Sequence, residues 1–156
     1  MIITLNEFNL IQTRDKKIGL TSGCFDLIHY YHLRYLERCK ANCDLLIVGV
    51  DSDSLVEMNK KKTPVINEHH RVAMVDALKC VDMVFRMDGL DDFKKFAEVS
   101  DLIFKNSLEV YGNEVVFKDK VMVIPDIKEL SSTTEIIQDI RSEERRVGKE
   151  CRSRWS

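Results

Sequence analysis

The sequence contains no long apolar run and no recognisable leader. No stretch approaches the ~20 apolar residues of a transmembrane helix, and the N-terminal segment lacks the charged and apolar regions of a signal peptide. Hydrophobic residues make up 44% of the 156 residues and charged residues 32%, which excludes a disordered chain. We therefore expect a soluble cytoplasmic protein with one substantial core.

An excess of either charge is also missing. The formal net charge is −2 and no long basic run precedes residue 141, so we expect neither nucleic acid nor a membrane as partner. The 5 cysteines are odd in number and form no CxxC pair. Cys39 and Cys43 lie one helical turn apart, but no second pair completes a zinc site. We interpret the cysteines as reduced thiols and expect no metal held by the protein itself.

Short apolar runs alternate with segments of helical periodicity, which is the pattern of βαβ units around a parallel sheet. The residues between the second strand and the second helix, through Pro64, are predicted to form a loop. The predicted fold class is α/β, a single doubly wound parallel sheet of five strands. The predicted strands are 17–22, 44–50, 81–85, 101–104 and 121–124, and the predicted helices are 32–40, 68–78, 91–99 and 132–140.

The chain is predicted to have three parts. Residues 1–16 form a lead-in segment and residues 17–141 form the domain. From Ser142 the sequence SEERRVGKECRSRWS has no apolar period and is typical of a vector translation. We interpret residues 142–156 as a disordered tail of non-native origin.

The segment TSGCFDLIHYYH, residues 21–32, carries the strongest chemical signal. The first strand ends here, Gly23 permits a tight turn, and His29 and His32 follow three residues apart, on one side of a starting helix. The N-terminus of a helix attracts phosphate through its unpaired N–H groups. Two imidazole donors beside it can stabilise the charge on an α-phosphate during in-line displacement. The alternative is a pair of surface histidines on an amphipathic helix.

Four motifs in this order resemble those of the cytidylyltransferase-like nucleotidyltransferase superfamily, and the similarity runs from about residue 17 to 141. The first, GCFDLIH…H, is similar to a nucleotide-binding motif that usually ends His-x-Gly-His. The pattern is nearest to the nucleotidyl domain of ADP-heptose synthases and to glycerol-3-phosphate cytidylyltransferases. The other three motifs are LIVGVDSD, PVINEHHRVAMVDALKCVD and SSTTEII.

The resemblance implies a Rossmann-like nucleotidyltransferase fold and the transfer of CMP or AMP from CTP or ATP to a phosphorylated sugar or alcohol. Pyrophosphate is released, Mg²⁺ accompanies the triphosphate, and a homodimer is possible. Arg71 would either hold phosphate or fix the loop before its helix. The implied catalytic residues are His29, His32 and Lys60; the nucleotide-binding residues are Ser22, Gly23, Cys24, Phe25, Tyr31, Lys105, Ser132 and Thr133; the phosphate- or substrate-binding residues are Asp26, Lys62 and Arg71.

The sequence departs from the family pattern at three places, and two of these departures, Tyr31 and the KNSL segment, favour a second hypothesis, a catalytically inactive nucleotide-binding or assembly module. Tyr31 replaces the glycine between the histidines, KNSL from Lys105 replaces Lys-Gly-Gly-Asp, and His69 and His70 precede Arg71 in place of Glu-Gln or Glu-Glu. A Rossmann dehydrogenase is excluded because no GxGxxG follows the first strand. A metal hydrolase built on the histidines has no ligand spacing to support it.

Overall fold

The computed structural model describes residues 1–11, 13, 15–106, 117–125, 137–138 and 140–142. The chain divides into two compact units, Met1–Asp126 and Ile127–Ser156. In the second unit the described residues are helical, and most of the predicted helix 132–140 lies outside them. The first unit contains, in chain order, α1 (Leu5–Leu10), β1 (Ile18–Gly23), α2 (Tyr30–Lys40), β2 (Leu45–Asp51), α3 (Asp53–Lys60), α4 (Glu68–Asp76), β3 (Met83–Met87), α5 (Leu90–Val99), β4 (Leu102–Lys105) and β5 (Val121–Val123).

The five strands form one sheet in the order β3-β2-β1-β4-β5, and every neighbouring pair is parallel. The predicted five-stranded, doubly wound α/β sheet is confirmed. The strand order reverses between β1 and β4, and in sheets of this kind the crevice at the reversal is where ligands bind. We therefore expect a ligand-binding site at the carboxyl ends of β1 and β4.

Apolar side chains leave the strands on both faces, as expected for a parallel sheet covered by helices. On one face, Phe8 of α1, Leu55 of α3 and Phe96 of α5 join one buried cluster with the strand residues. On the other face, Leu36 of α2 and Val75 of α4 belong to a second cluster. Two packed layers thus fix the strand ends that carry the candidate site.

The N-terminal segment, predicted only as a lead-in, packs against the sheet. Ile3 N donates to Val84 O at 2.8 Å, and Val84 N donates to Met1 O at 2.9 Å. Thr4 caps α1 through a reciprocal pair of bonds with Glu7. This segment covers part of the outer edge of β3, which would otherwise expose unpaired backbone groups.

The loop predicted after the second strand is wrong for residues 53–60, which form α3. Ser52 caps this helix, its hydroxyl accepting from Leu55 N at 3.3 Å, and Leu55 and Val56 are buried. Lys61 follows the helix as its C-cap residue, and its φ of 51° is left-handed. Lys60 is therefore the last helical residue.

Among the helices that the structure describes, none combines the length and apolarity needed to cross a bilayer.

Candidate active site

The loop between β1 and α2 carries the motif residues in a constrained backbone. Phe25 and Leu27 have φ values of 50° and 45°, in the left-handed region that residues with a Cβ seldom adopt. Such conformations persist only where the surroundings over-determine them, and they cluster at functional sites. Phe25 is buried in the core. The carboxylate of Asp26 is buried too, and it accepts from Val65 N and Ile66 N, each at 3.0 Å.

The two motif histidines lie against each other at the start of α2. Their ring centroids are 4.1 Å apart, so the side-by-side arrangement expected from their spacing is present. His29 is the N-cap residue, with extended φ and ψ, rather than part of the helix. Its Nδ1 accepts from Tyr31 N at 3.3 Å, while Nδ1 of His32 accepts from His29 N at 3.3 Å. The imidazoles therefore cap the helix in the reciprocal manner of a capping box.

This environment keeps the histidines uncharged. Burial lowers the pKa of His32 to about 4, assisted by repulsion from Lys60 and from the protonated form of His29 and opposed by Asp26. Burial also lowers the pKa of His29. A neutral imidazole that accepts at Nδ1 carries its proton on Nε2 and donates from there. Both rings are half-buried. The site thus offers two neutral donors at a helix N-terminus.

Arg71 connects the loops around these donors. Its side chain is only 1% exposed and donates to Ile66 O at 2.8 Å, to Cys24 O, and to Asp53 Oδ1 at 2.6 Å. One guanidinium thereby joins the loop after β1, the start of α3 and the loop before α4. These contacts favour its role in fixing the loops, and its contact with phosphate stays a prediction.

The predicted lysines differ in position. Lys60, at the end of α3, lies close enough for its charge to act on Cys24, His32 and the carboxyl of Asp51. Lys105, the last residue of β4, is half-buried, and burial lowers its pKa. Lys62 is exposed in the loop after α3. Lys60 and Lys105 therefore stand nearest to the strand ends.

Of the remaining predicted residues, some lie at the end of β1 and others lie outside the residues that the structure describes. Ser22 and Gly23 are half-buried at the end of β1, and Cys24 follows them, buried, with its thiol pKa raised by burial. Ser132 and Thr133 lie outside the described residues. Their predicted contact with the triphosphate therefore stays a prediction.

Two acidic positions were missed by the sequence reasoning. Asp51, the last residue of β2, has a carboxyl whose pKa is raised by burial. Glu68 holds two groups: Oε2 accepts from Asp53 N at 2.8 Å and Oε1 from Arg86 at 2.9 Å. The signal for Asp51 was its place after an apolar run, at the edge where the site lies. The contact of Glu68 has no local signal.

A separate groove of about 1070 Å³ lies at the outer edge of β3. Glu7, His69, Arg86 and Lys95 contribute to its lining, together with none of the predicted site residues. Arg86 forms ion pairs with Glu68 and Asp88, and Lys95 forms an ion pair with Asp92. The positive charges of these two groove residues are therefore already neutralised. The predicted site residues therefore lie at the strand ends and not in this groove.

Known proteins are similar to this chain in sequence. A family model described as cytidylyltransferase-like matches residues 20–149. The bifunctional protein HldE of Desulfatibacillum aliphaticivorans is 38% identical over 141 residues, and that of Helicobacter pylori strain P12 is 34% identical over 136 residues. Each alignment covers 85% of this chain but only 28% and 30% of the relative. The chain thus spans less than a third of these bifunctional proteins.

A solved structure has a similar fold along its whole length. The lipopolysaccharide core biosynthesis protein from Thermoplasma volcanium GSS1 superimposes with a TM-score of 0.63 at 26% sequence identity. The match covers 72% of this chain and 99% of that one. This chain therefore shares its fold with that protein.

Proposed function

The chain belongs to the cytidylyltransferase-like family, and from this premise we propose that it is a nucleotidyltransferase that moves CMP or AMP from CTP or ATP to a phosphorylated sugar or alcohol. The observation that carries the proposal is the pair of neutral imidazoles, with ring centroids 4.1 Å apart, at the N-terminus of α2. This N-terminus follows β1, beside the point where the strand order reverses. Phosphate groups are favoured at such a terminus.

The proposed reaction is an in-line displacement at the α-phosphorus. A phosphate oxygen of the acceptor forms a new bond to that phosphorus while its bond to the β-phosphate oxygen breaks and pyrophosphate leaves. The attacking oxygen is already ionised near neutral pH, so the site needs electrostatic stabilisation more than a general base. His29 and His32 would donate from Nε2 to the α-phosphate oxygens, where charge accumulates. Lys60 would neutralise the departing pyrophosphate.

We propose that Mg²⁺ arrives with the triphosphate, whose hard oxygens are ligands that this ion prefers. Within the described part of the chain, no group of three or more histidine, cysteine or acidic residues could hold a metal ion. In this proposal the ion enters the site as part of the substrate. Ser132 and Thr133 remain proposed contacts of the triphosphate.

For the acceptor, we favour a sugar phosphate over a simple alcohol phosphate. The solved neighbour from Thermoplasma volcanium is named as a protein of lipopolysaccharide core biosynthesis, and lipopolysaccharide cores are built of sugars. Testing CTP and ATP in parallel against phosphorylated sugars and polyols addresses both the base and the acceptor. The measurement is release of pyrophosphate.

The mechanism makes a direct prediction for the histidines. Replacing His29 or His32 by alanine should lower turnover by about two orders of magnitude or more, as for the loss of a preorganised transition-state donor. His69→Ala is a suitable control, since His69 is exposed on α4 and has no proposed role. Near-normal rates in both site variants would remove the paired imidazoles from the mechanism.

The second candidate function is a nucleotide-binding module without turnover. The specific features that favour it are Tyr31 in the place of the family glycine and the KNSL segment in the place of Lys-Gly-Gly-Asp. Calorimetric titration with CTP and ATP distinguishes the two. Nucleotide binding without pyrophosphate release across the whole acceptor panel would favour the module.

A further inference from the structure

Tyr31 carries a buried hydroxyl that the fold leaves without a hydrogen bond. The residue is the second of α2, and its ring centroid is 6.1 Å from that of His29 and 6.2 Å from that of His32. Its oxygen is buried, yet among the residues that the structure describes it has no hydrogen-bond partner. Buried polar groups without partners are rare in native proteins and call for an explanation.

The other tyrosines of α2 show what a partnered or solvated hydroxyl looks like here. The hydroxyl of Tyr35 lies 3.0 Å from Thr21 Oγ1, inside the fold. Tyr30 is 60% exposed, so water satisfies its hydroxyl. Tyr31 belongs to neither class, although it is on the same helix and adjacent to Tyr30.

The two imidazoles beside Tyr31 present hydrogen-bond donors to a ligand. The two imidazoles donate from Nε2, the N-terminus of α2 adds its partial positive charge, and Lys60 lies near His32. The nearby carboxylate of Asp26 already accepts from two backbone N–H groups. A ligand that complements such a set is rich in acceptor oxygens and negatively charged, as a phosphoryl group is.

We propose that the hydroxyl of Tyr31 donates a hydrogen bond to a phosphoryl oxygen of the substrate bound at the paired histidines. This inference rests on the proposed function and adds a donor that the family glycine cannot supply. Because the hydroxyl is buried in the ligand-free fold, the proposed contact requires a change of the side-chain torsions of this half-buried residue that brings the hydroxyl to the ligand. The substitution of glycine by tyrosine is then a specificity-determining change and not a loss of the site.

The proposal predicts opposite effects on binding and stability when the hydroxyl is removed. In Tyr31→Phe the Kd or KM for the contacted substrate should rise about tenfold to a hundredfold, because one hydrogen bond to a charged group is lost. The Tm of the ligand-free protein should stay the same or increase, because a buried hydroxyl without a partner is removed. If the hydroxyl only stabilised the fold, Tyr31→Phe would lower Tm and leave Kd and KM unchanged.

The test compares three variants of one helix. Tyr30→Phe should leave Tm, Kd and KM unchanged, and Tyr35→Phe should lower Tm because it breaks the bond to Thr21. The full chain is titrated with CTP and with ATP, and KM is measured for the phosphorylated acceptor. For Tyr31→Phe, a raised nucleotide Kd assigns the contact to the triphosphate. A raised acceptor KM with unchanged nucleotide Kd assigns it to the acceptor phosphate.

Three results would overturn the inference, and they are distinguishable. If the wild-type protein binds and transfers nucleotide while Tyr31→Phe has unchanged Kd and KM, only the role of Tyr31 fails. A lower Tm with unchanged binding would identify the hydroxyl as structural and also reject that role. If the wild-type protein binds neither CTP nor ATP, the proposed function fails, and the inference fails with it.

Discussion

Acidification should destabilise this protein through one histidine of the candidate site. The folded-state pKa of His32 is about 4, against an ordinary value near 6.5, because the ring is partly buried and lies near His29 and Lys60. Asp26 opposes the shift and is the nearby negative charge. Between these two pKa values the unfolded chain binds a proton that the folded protein does not. The stabilisation is therefore complete above about pH 6.5 and is lost as the pH falls toward 4.

The size of the effect follows from the pKa difference and from the exposure of the ring. A drop from 6.5 to about 4 corresponds to at most about 3 kcal/mol in the free energy of unfolding. The ring is only half-buried, so screening by solvent reduces this to about 1–2 kcal/mol. At pH 5 most of this amount should be lost, since the unfolded imidazole is then almost fully protonated.

Urea unfolding of the wild type and of His32→Gln at pH 7.5 and pH 5 isolates the contribution. Glutamine retains an oxygen that can accept from His29 N and does not titrate. The wild type should lose about 1–2 kcal/mol more than the variant on acidification. Equal losses would mean that His32 takes up its proton in the folded state at ordinary pH. The assignment of two neutral Nε2 donors would then be wrong.

Two further predictions concern the scaffold of the site. Arg71→Met should lower the free energy of unfolding by about 2–4 kcal/mol, since it leaves Cys24 O, Ile66 O and the partly exposed Asp53 without their buried donor. Arg86→Met, at an exposed arginine, should cost less than about 1 kcal/mol. Equal losses in chemical denaturation would contradict the buried network. Lys120 Nζ donates to Ala97 O, Glu98 O and Ser100 O at 3.0, 3.1 and 2.8 Å. Lys120→Met should therefore lower stability by about 1–3 kcal/mol, and an equal loss in Lys118→Met, which is exposed, would reject this explanation.

The sheet could be predicted from the sequence because strands buried on both faces read as continuous apolar runs. The second strand was predicted at 44–50 and lies at Leu45–Asp51. The helices that were missed are short. α3 has 8 residues and α1 has 6, and few of these are apolar and buried. Their stability comes from caps and from packing against the sheet, and neither produces a strong periodic pattern.

Some features of the site could likewise be predicted from the sequence, and others could not. The histidines could be found because their spacing and the preceding strand are local features of the sequence. The contacts of Arg71 with Cys24 and of Asp26 with Val65 join residues 47 and 39 positions apart, and no local pattern reports them. The lowered pKa of His32 likewise depends on burial, which only the packed structure defines.

The structural residues of this site also determine its chemistry. The bonds that the two imidazoles accept at Nδ1 cap α2, and the same bonds place their protons on Nε2, where the proposed transfer needs them. Arg71 is buried, yet by holding Cys24 O and Asp53 it fixes the loop that leads to the histidines and the start of the helix that ends at Lys60. A change at Arg71 should therefore alter catalysis and stability together, whereas a change at the hydroxyl of Tyr31 should separate them.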